Sequence, residues 1–288
     1  MTDKPRPPFQ KQPIEPPGIE ADMDPKPQYQ APSYRGSGKL EGDVALITGG
    51  DSGIGRSVAT LFAREGADVA LVYLPEEQVD ADEVADAIHE EGTRVLLLPG
   101  DVRDPGFCHE AVQRVIEEYG ALDILVNNAA IQKHQPSIVD VTEEQWLRTF
   151  EINIHGYFRM AKAALQHLRR GGRIIQTGSI TGLEGSKELL DYAATKGAIH
   201  AFTKSLAKNL VDAGVRVNCV APGPVWTPLN PAERHGEGAR WFGSDQPMGR
   251  PAQPEEIAPA YVFFASNVDS GYLTGEILTI LGGQTKAG

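Results

Sequence analysis

From Lys39 onward the chain alternates short, mostly apolar runs with longer stretches of helical periodicity, a pattern that few folds satisfy. The runs fall at 44–48, 69–73, 94–98, 124–127, 174–177, 215–220 and 277–281, and the periodic stretches at 56–65, 77–91, 105–119, 143–168 and 192–210. Because the runs are apolar throughout and do not alternate with polar residues, each reads as a strand buried on both faces. Helices must then cover both sides of a parallel sheet, which predicts a doubly wound α/β domain of seven strands over 41–288. Local signals agree. Gly66, Gly92, Gly120 and Gly214 stand where a helix should give way to a strand. Thr142 followed by Gln145, with Glu143 and Glu144 between them, predicts a capping box.

The first forty residues read differently. Nine of the 21 prolines fall there, with few aliphatic residues between them, so neither a helix nor a central strand is expected. Two readings stand: a disordered tail, or an extended arm packed through Phe9, Ile14, Tyr29 and Tyr34 on its own domain or a neighbouring subunit. The N-terminus lacks the apolar core of a signal peptide. No apolar run approaches the roughly 18 residues that span a bilayer, which places the protein in the cytoplasm with no membrane partner. With 27 Lys and Arg against 39 Asp and Glu the formal charge is −12, and no basic stripe offers a footprint for nucleic acid. Cys108 and Cys219 share no short spacing with each other or with a His cluster, so neither a disulfide nor a metal site is expected.

The first apolar run leads into Thr48-Gly49-Gly50-Asp51-Ser52-Gly53-Ile54-Gly55-Arg56. A strand, a glycine turn and a helix in that order form a Rossmann-type phosphate site. Unpaired backbone N–H groups and the positive helix end meet the charge, and absent Cβ atoms allow close approach. Gly49, Asp51, Ser52, Gly53, Ile54 and Gly55 are therefore candidate dinucleotide contacts. At the tip of the second strand an acid would bond the 2′-hydroxyl of NAD and a base the 2′-phosphate of NADP. Tyr73-Leu74-Pro75-Glu76-Glu77 meets neither rule. The missing acid leans toward NADP and the glutamates lean back toward NAD, so the cofactor is NADP or NAD, with NADP slightly ahead.

Ser179 follows the fifth strand, and downstream Tyr192-Ala193-Ala194-Thr195-Lys196 sets a phenol and an ammonium on one helix face. A cation beside a phenol favours the phenolate, which suits proton transfer near neutral pH. A Tyr and a Lys four apart are commonplace on helices. Their weight here comes from following a glycine turn in the same chain.

Taken in order, Thr48-Gly49-x-x-x-Gly53-Ile54-Gly55, Asp101-Val102, Asn127-Asn128-Ala129, Asn153, Ser179, Tyr192-x-x-x-Lys196 and Pro222-Gly223 resemble the short-chain dehydrogenase/reductase family over about residues 40–283. The proline-rich arm and the stretches around Tyr192 and Trp226 are most similar to a bacterial branch resembling glucose/ribitol dehydrogenases and aldehyde reductases. The resemblance implies an NAD(P)-dependent oxidoreductase that interconverts an alcohol (a sugar, a polyol or a small alcohol) and its aldehyde or ketone. It implies that Tyr192 is the acid/base, that Lys196 holds the nicotinamide ribose and lowers the Tyr192 pKa, and that Ser179 orients the substrate oxygen. Asn153 would hold a water linking Lys196 to solvent. Further cofactor contacts implied are Tyr73 at the ribose end, Asp101 and Val102 at the adenine, Asn127 on the ribose side, and Pro222, Gly223, Val225 and Thr227 toward the carboxamide. A homotetramer is implied as well. Ala130 and Leu281 depart from the family pattern, standing where Gly and Asp are usual.

The segment 226–250 is expected to set substrate choice, as loops at the carboxyl edge of such sheets do. Trp226, Trp241, Phe242 and His235 are expected either to line a pocket or to pack against the body. His134 and His155 have no carboxylate partner that the sequence can place. Two rivals remain: a non-catalytic nicotinamide-nucleotide sensor or scaffold, which would be expected to lack Ser, Tyr or Lys, and an epimerase or dehydratase, which would carry a longer substrate domain.

Overall fold

Each apolar run forms a strand, with ends displaced by a residue or two. They are β1 (Val44–Thr48), β2 (Asp68–Tyr73), β3 (Val95–Pro99), β4 (Ile124–Asn127), β5 (Arg173–Thr177), β6 (Arg216–Pro222) and β7 (Ile277–Ile280). In this computed structural model, which describes residues 4–10, 14–233 and 237–285, they form one parallel sheet in the order β3-β2-β1-β4-β5-β6-β7. Val44 pairs with Asp68 on one side of β1, and Ala45 pairs with Ile124 on the other. The chain therefore reverses its direction of winding between β1 and β4, the place where open α/β sheets leave a crevice beyond their strand ends.

Strand alternation divides the core in two. Ala45 and Ile47 of β1 face one layer, with Phe62 of α1 (Gly53–Arg64) and Tyr261 and Phe264 from near the C-terminus. Val44 and Leu46 face the other, with Val112 and Met160. The other α-helices are α2 (Gln78–Glu90), α3 (Pro105–Tyr119), α4 (Glu143–Phe150), α5 (Tyr157–Ala164), α6 (Thr181–Glu184), α7 (Leu190–Leu210), α8 (Leu229–Glu233), α9 (Glu237–Arg240), α10 (Pro254–Ala265) and α11 (Asn267–Ser270). None is long and apolar enough to cross a membrane, among the described residues.

The single helix expected over 143–168 is two helices joined by a π turn at Glu151–Gly156. A π turn adds one residue without breaking the apolar stripe, so periodicity does not register it, and such turns cluster at functional sites. This one carries Asn153. The capping box at Thr142 is half made. Its hydroxyl accepts from the Gln145 N–H at 3.1 Å, but the Gln145 side chain turns instead to Gln135 and Asp191.

The arm lies against its own domain. Phe9 and Ile14 are buried with Met23, Trp226 and Phe242 in a small cluster, Tyr29 covers the Arg56 guanidinium at 4.0 Å, and the Tyr34 hydroxyl donates to Glu65. Apart from one short 3-10 turn at Glu20–Asp22, where no helix is expected from the prolines, the described residues of the arm have no regular structure, so their polar groups need partners, and the domain supplies them. The Glu20 and Ala21 N–H groups donate to Asp80 at 2.6 and 2.9 Å, and Gln28 N–H donates to Gln253 Oε1 at 2.9 Å. Glu20 itself is buried, with Oε1 2.8 Å from Arg56 Nη1. Arg56 also holds Glu83, Nη2 to Oε2 at 2.5 Å, so losing Glu20 leaves the guanidinium one carboxylate short and the Gly53 N–H without its acceptor. Glu20→Ala is therefore expected to lower unfolding free energy by about 2 kcal/mol in a denaturant titration. A loss below roughly 1 kcal/mol, the range of an exposed pair, would show that Arg56 is satisfied without it.

Candidate active site

A cavity of about 1050 Å³ opens at the carboxyl ends of the central strands. It slightly exceeds the roughly 300–1,000 Å³ of ordinary small-molecule sites, leaving room for a dinucleotide and a second ligand.

At one end lies the glycine turn. Gly49 and Gly53 have φ of +61° and +52°, backbone that L side chains rarely adopt. A Cβ on Gly55 would lie 1.8 Å from the Gly49 carbonyl oxygen, so Gly55 works from behind the wall by letting α1 start against the turn. Thr48 Oγ1 accepts from the Asn128 and Ala129 N–H groups at 2.9 and 3.1 Å, and Asn128 Nδ2 donates to Gly49 O at 2.9 Å. These bonds fix the turn against β4. Asp51, Ser52, Gly53 and Ile54 line the cavity.

The second-strand tip adds Tyr73, whose hydroxyl donates to Gln78 at 2.7 Å, and Glu77, whose carboxylate accepts from Leu74 N–H at 2.8 Å. Asp51 is buried, and its Oδ2 has no hydrogen-bond partner among the described residues. Burial, then the nearby Glu77, holds its pKa well above the usual carboxylate range. An orphaned buried oxygen beside a cradle that any Cβ would fill fits the adenosine and phosphate portion of a nicotinamide dinucleotide. Asp101 and Val102 also line this end, with the Asp101 carboxylate taking the Arg103 N–H and Nε at 2.8 and 2.7 Å.

Ser179, Tyr192 and Lys196 meet at the other end. The first two turns of α7 put the phenol and the ammonium on one face, and Lys196 Nζ lies 5.3 Å from the Tyr192 ring centre. The ammonium points past the phenol and donates to Thr177 O at 2.7 Å. The Thr181 hydroxyl donates to Ser179 Oγ at 3.0 Å. Burial pushes the Tyr192 pKa up to about 12, against the pull of its hydrogen bond with Ser179, and burial lowers Lys196 to about 7. In the nucleotide-free protein burial thus outweighs any lowering of the phenol by the ammonium. Desolvation penalises both charged forms, and a lysine half neutral at pH 7 offers little field to offset it.

Besides Gly55, two further expected site residues stand off the cavity. Asn127 is buried behind the wall, its Nδ2 donating to Tyr157 O and Gln176 Oε1 at 3.2 and 3.1 Å. Strand alternation turns it inward and brings the next residue, Asn128, to the surface of the cleft instead. Asn153 is fully buried on the π turn. Its amide donates to Ile131 O and Thr195 Oγ1 at 2.9 and 3.1 Å and accepts from Ile131 N–H at 2.9 Å. Pro222, Gly223, Val225 and Thr227 also line the cavity, with Thr227 against the glycine turn, 3.0 Å from where a Cβ on Gly53 would stand.

In the loop after β6 the tryptophans split. Trp226 is buried and packed, Trp241 is half exposed, and Phe242 reaches the cavity. His235 lies outside the described residues. His134 and His155 do have carboxylates nearby, Glu188 at 3.7 Å and Glu151 at 2.7 Å. Sequence reasoning missed Gln132, whose side chain donates to Asn230 at 3.2 Å, and Pro16 and Pro17 of the arm, all on the cavity wall. Only a helical or strand period would have signalled them, and none runs through these segments.

A family profile described as enoyl-(acyl carrier protein) reductase matches residues 49–285. Glucose and ribitol dehydrogenase of Daucus carota is 47% identical over 286 residues, covering 98% of each chain. The chain belongs to the short-chain dehydrogenase/reductase family. Within that family, NADPH-dependent aldehyde reductase 1, chloroplastic, of Arabidopsis thaliana is 46% identical over 272 residues, covering 93% of this chain and 94% of its own. Among solved structures, a short-chain dehydrogenase from Burkholderia cenocepacia J2315 in complex with NADP superposes with TM-score 0.79 at 35% identity, over 85% of this chain and 98% of that one. The protein is accordingly an NAD(P)-dependent oxidoreductase of the short-chain dehydrogenase/reductase family, and its arm falls outside the residues that the family profile matches.

Proposed function

We propose that the protein interconverts an alcohol and its aldehyde or ketone, on a sugar, a polyol or a small aldehyde, with Tyr192 as the proton-transfer residue. The observation that carries this reading is the convergence of Ser179, Tyr192 and Lys196 at one end of the cavity whose other end is the glycine turn. A nicotinamide dinucleotide held in this cavity would supply or accept the hydride. The Ser52 and Ile54 amides of the turn would hold the phosphates, the Gly53 N–H being taken by Glu20, and Val225 and Thr227 the carboxamide. Lys196 would hold the nearer ribose.

In reduction, the Tyr192 phenol gives its proton to the substrate oxygen while Ser179 Oγ–H stabilises the charge that develops there. With burial holding its pKa up at about 12, the phenol carries the proton it would donate in reduction. Asn153 holds the π turn against Ile131 and Thr195, next to the helix that carries Lys196. A sensor or scaffold would have no use for the three convergent side chains. We further propose a cytoplasmic homotetramer, supported by two free buried cysteines and by exposed Leu147 and Phe158 on α4 and α5.

The test is thermal unfolding with NAD, NADP and neither, followed by a screen of sugars, polyols and short aldehydes for a change in reduced-nicotinamide absorbance. Both nucleotides are compared because the acidic ribose end argues for a 2′-hydroxyl and the named relatives for a 2′-phosphate. A nucleotide at 100 times its Kd adds about 2.7 kcal/mol, enough to raise Tm by about 5 °C. No rise with either nucleotide would overturn the reading.

A further inference from the structure

Between Pro16 and Glu20 the arm passes across the cavity and touches both of its sides. Pro16 and Pro17 stand on the wall with Gly53 and Pro228. Gly18, at φ +94°, has no space for a side chain, since a Cβ there would lie 3.1 Å from Pro228 and 3.2 Å from Ala232. Two residues on, Glu20 Oε2 accepts the N–H of Gly53, the first residue of α1, at 2.7 Å. The loop after β6 is held from the same direction. Phe9 stacks on Trp226 with ring centres 4.0 Å apart, and Trp226 Nε1–H donates to Pro25 O at 2.8 Å. One stretch of chain thus bridges the phosphate turn and the loop facing it, with no connection through the sheet.

The geometry points to a second role for the arm: it is a clasp that positions the loop at 225–232 over the bound dinucleotide and slows its release. The residues that do this are positioning residues. Phe9 and Gly18 seat the loop, and Glu20 ties the arm to the turn. Because Glu20 takes the Gly53 N–H and is matched by Arg56 at 2.8 Å, it leaves the Ser52 and Ile54 amides for phosphate without adding an unpaired negative charge beside it. The inference rests on the proposed placement of the nucleotide.

The test uses the full chain. In the double variant Phe9→Ala/Ile14→Ala, release of reduced nucleotide, followed by fluorescence after rapid mixing, is expected to quicken about tenfold, as for loops that gate ligand exit. In the wild-type protein, saturating nucleotide is expected to slow amide hydrogen exchange at Glu20 and Ala21 about fivefold, since coupling between the two sites is reciprocal. A folded double variant whose release rate stays within about twofold of wild type overturns the clasp, as does arm exchange indifferent to nucleotide. Should the double variant fail to fold, the wild-type exchange measurement decides alone. A wild-type protein that binds neither nucleotide defeats the placement and the clasp together, whereas one that binds with an indifferent arm defeats the clasp only.

Discussion

Tyr192→Phe is expected to lower kcat for aldehyde reduction by about two to four orders of magnitude, the usual contribution of a positioned proton donor, while nucleotide affinity changes little. The side chains differ by one hydroxyl. The ring still fills its half-buried place on the cavity wall with Ser179, so a general loss of structure is not the expected cause. The pH dependence carries a second part of the prediction. With the phenol near 12, reduction by the wild-type enzyme should show no Tyr192 titration between pH 6 and about 9. Oxidation of the alcohol, which needs the phenolate to accept a proton, should rise with pH over the same range. Near wild-type turnover in Tyr192→Phe on a verified substrate would remove Tyr192 from the chemistry. Loss of nucleotide binding along with turnover would make its role structural.

Lys196→Met is expected to make the nucleotide-free protein more stable while abolishing its activity. The side chain is buried, and its pKa falls from 10.5 to about 7 because water is excluded around it. That fall corresponds to roughly 4 kcal/mol of cost at and below neutral pH, against about 1 kcal/mol for the hydrogen bond to Thr177 O that methionine cannot make. The sign follows from proton counting. Between pH 7 and 10.5 the unfolded chain holds a proton that the folded chain has released, so wild-type stability rises with pH through that window and the burial cost is full below it. The variant lacks this slope. We expect a Tm higher by about 5 °C at pH 7 and a difference from wild type that shrinks by about 1.4 kcal/mol per pH step above neutrality. An equal or lower Tm, with the wild-type slope retained, would mean that Lys196 keeps its charge in the folded state.

The sheet was legible from the chain because its strands leave uninterrupted apolar runs, and all seven form near the expected places, although the edge strands β3 and β7 are only partly buried and do not meet the expectation of burial on both faces. The glycine turn was legible for a different reason: Gly49, Gly53 and Gly55 answer steric demands that no other residue meets. Features that depend on a single step of rotation were not. Asn127 and Asn128 are chemically alike, and in a strand apolar on both sides nothing marks which one faces the cleft. The helix over 143–168 hid its π turn because an inserted residue leaves the stripe continuous. The Tyr192 pKa went the other way because spacing places the ammonium on the right face but gives neither its direction nor the dryness around it. The arm was least legible, since Phe9, Ile14 and Met23 follow no period and find their partners far along the chain.

That distance has a consequence for how the protein is made. Phe9 meets Trp226 and Arg240, Gln28 meets Gln253, and Ala31 meets Glu255, so these contacts of the arm must wait for the last quarter of the chain, whereas those of Glu20, Tyr29 and Tyr34 with Asp80, Arg56 and Glu65 can close much sooner. At about 5–20 residues per second, the longer wait is on the order of tens of seconds. A segment rich in proline and poor in aliphatic side chains can wait in water for that long without sticking to its neighbours, and the composition that denies the arm a fold of its own also keeps it available until its seat exists.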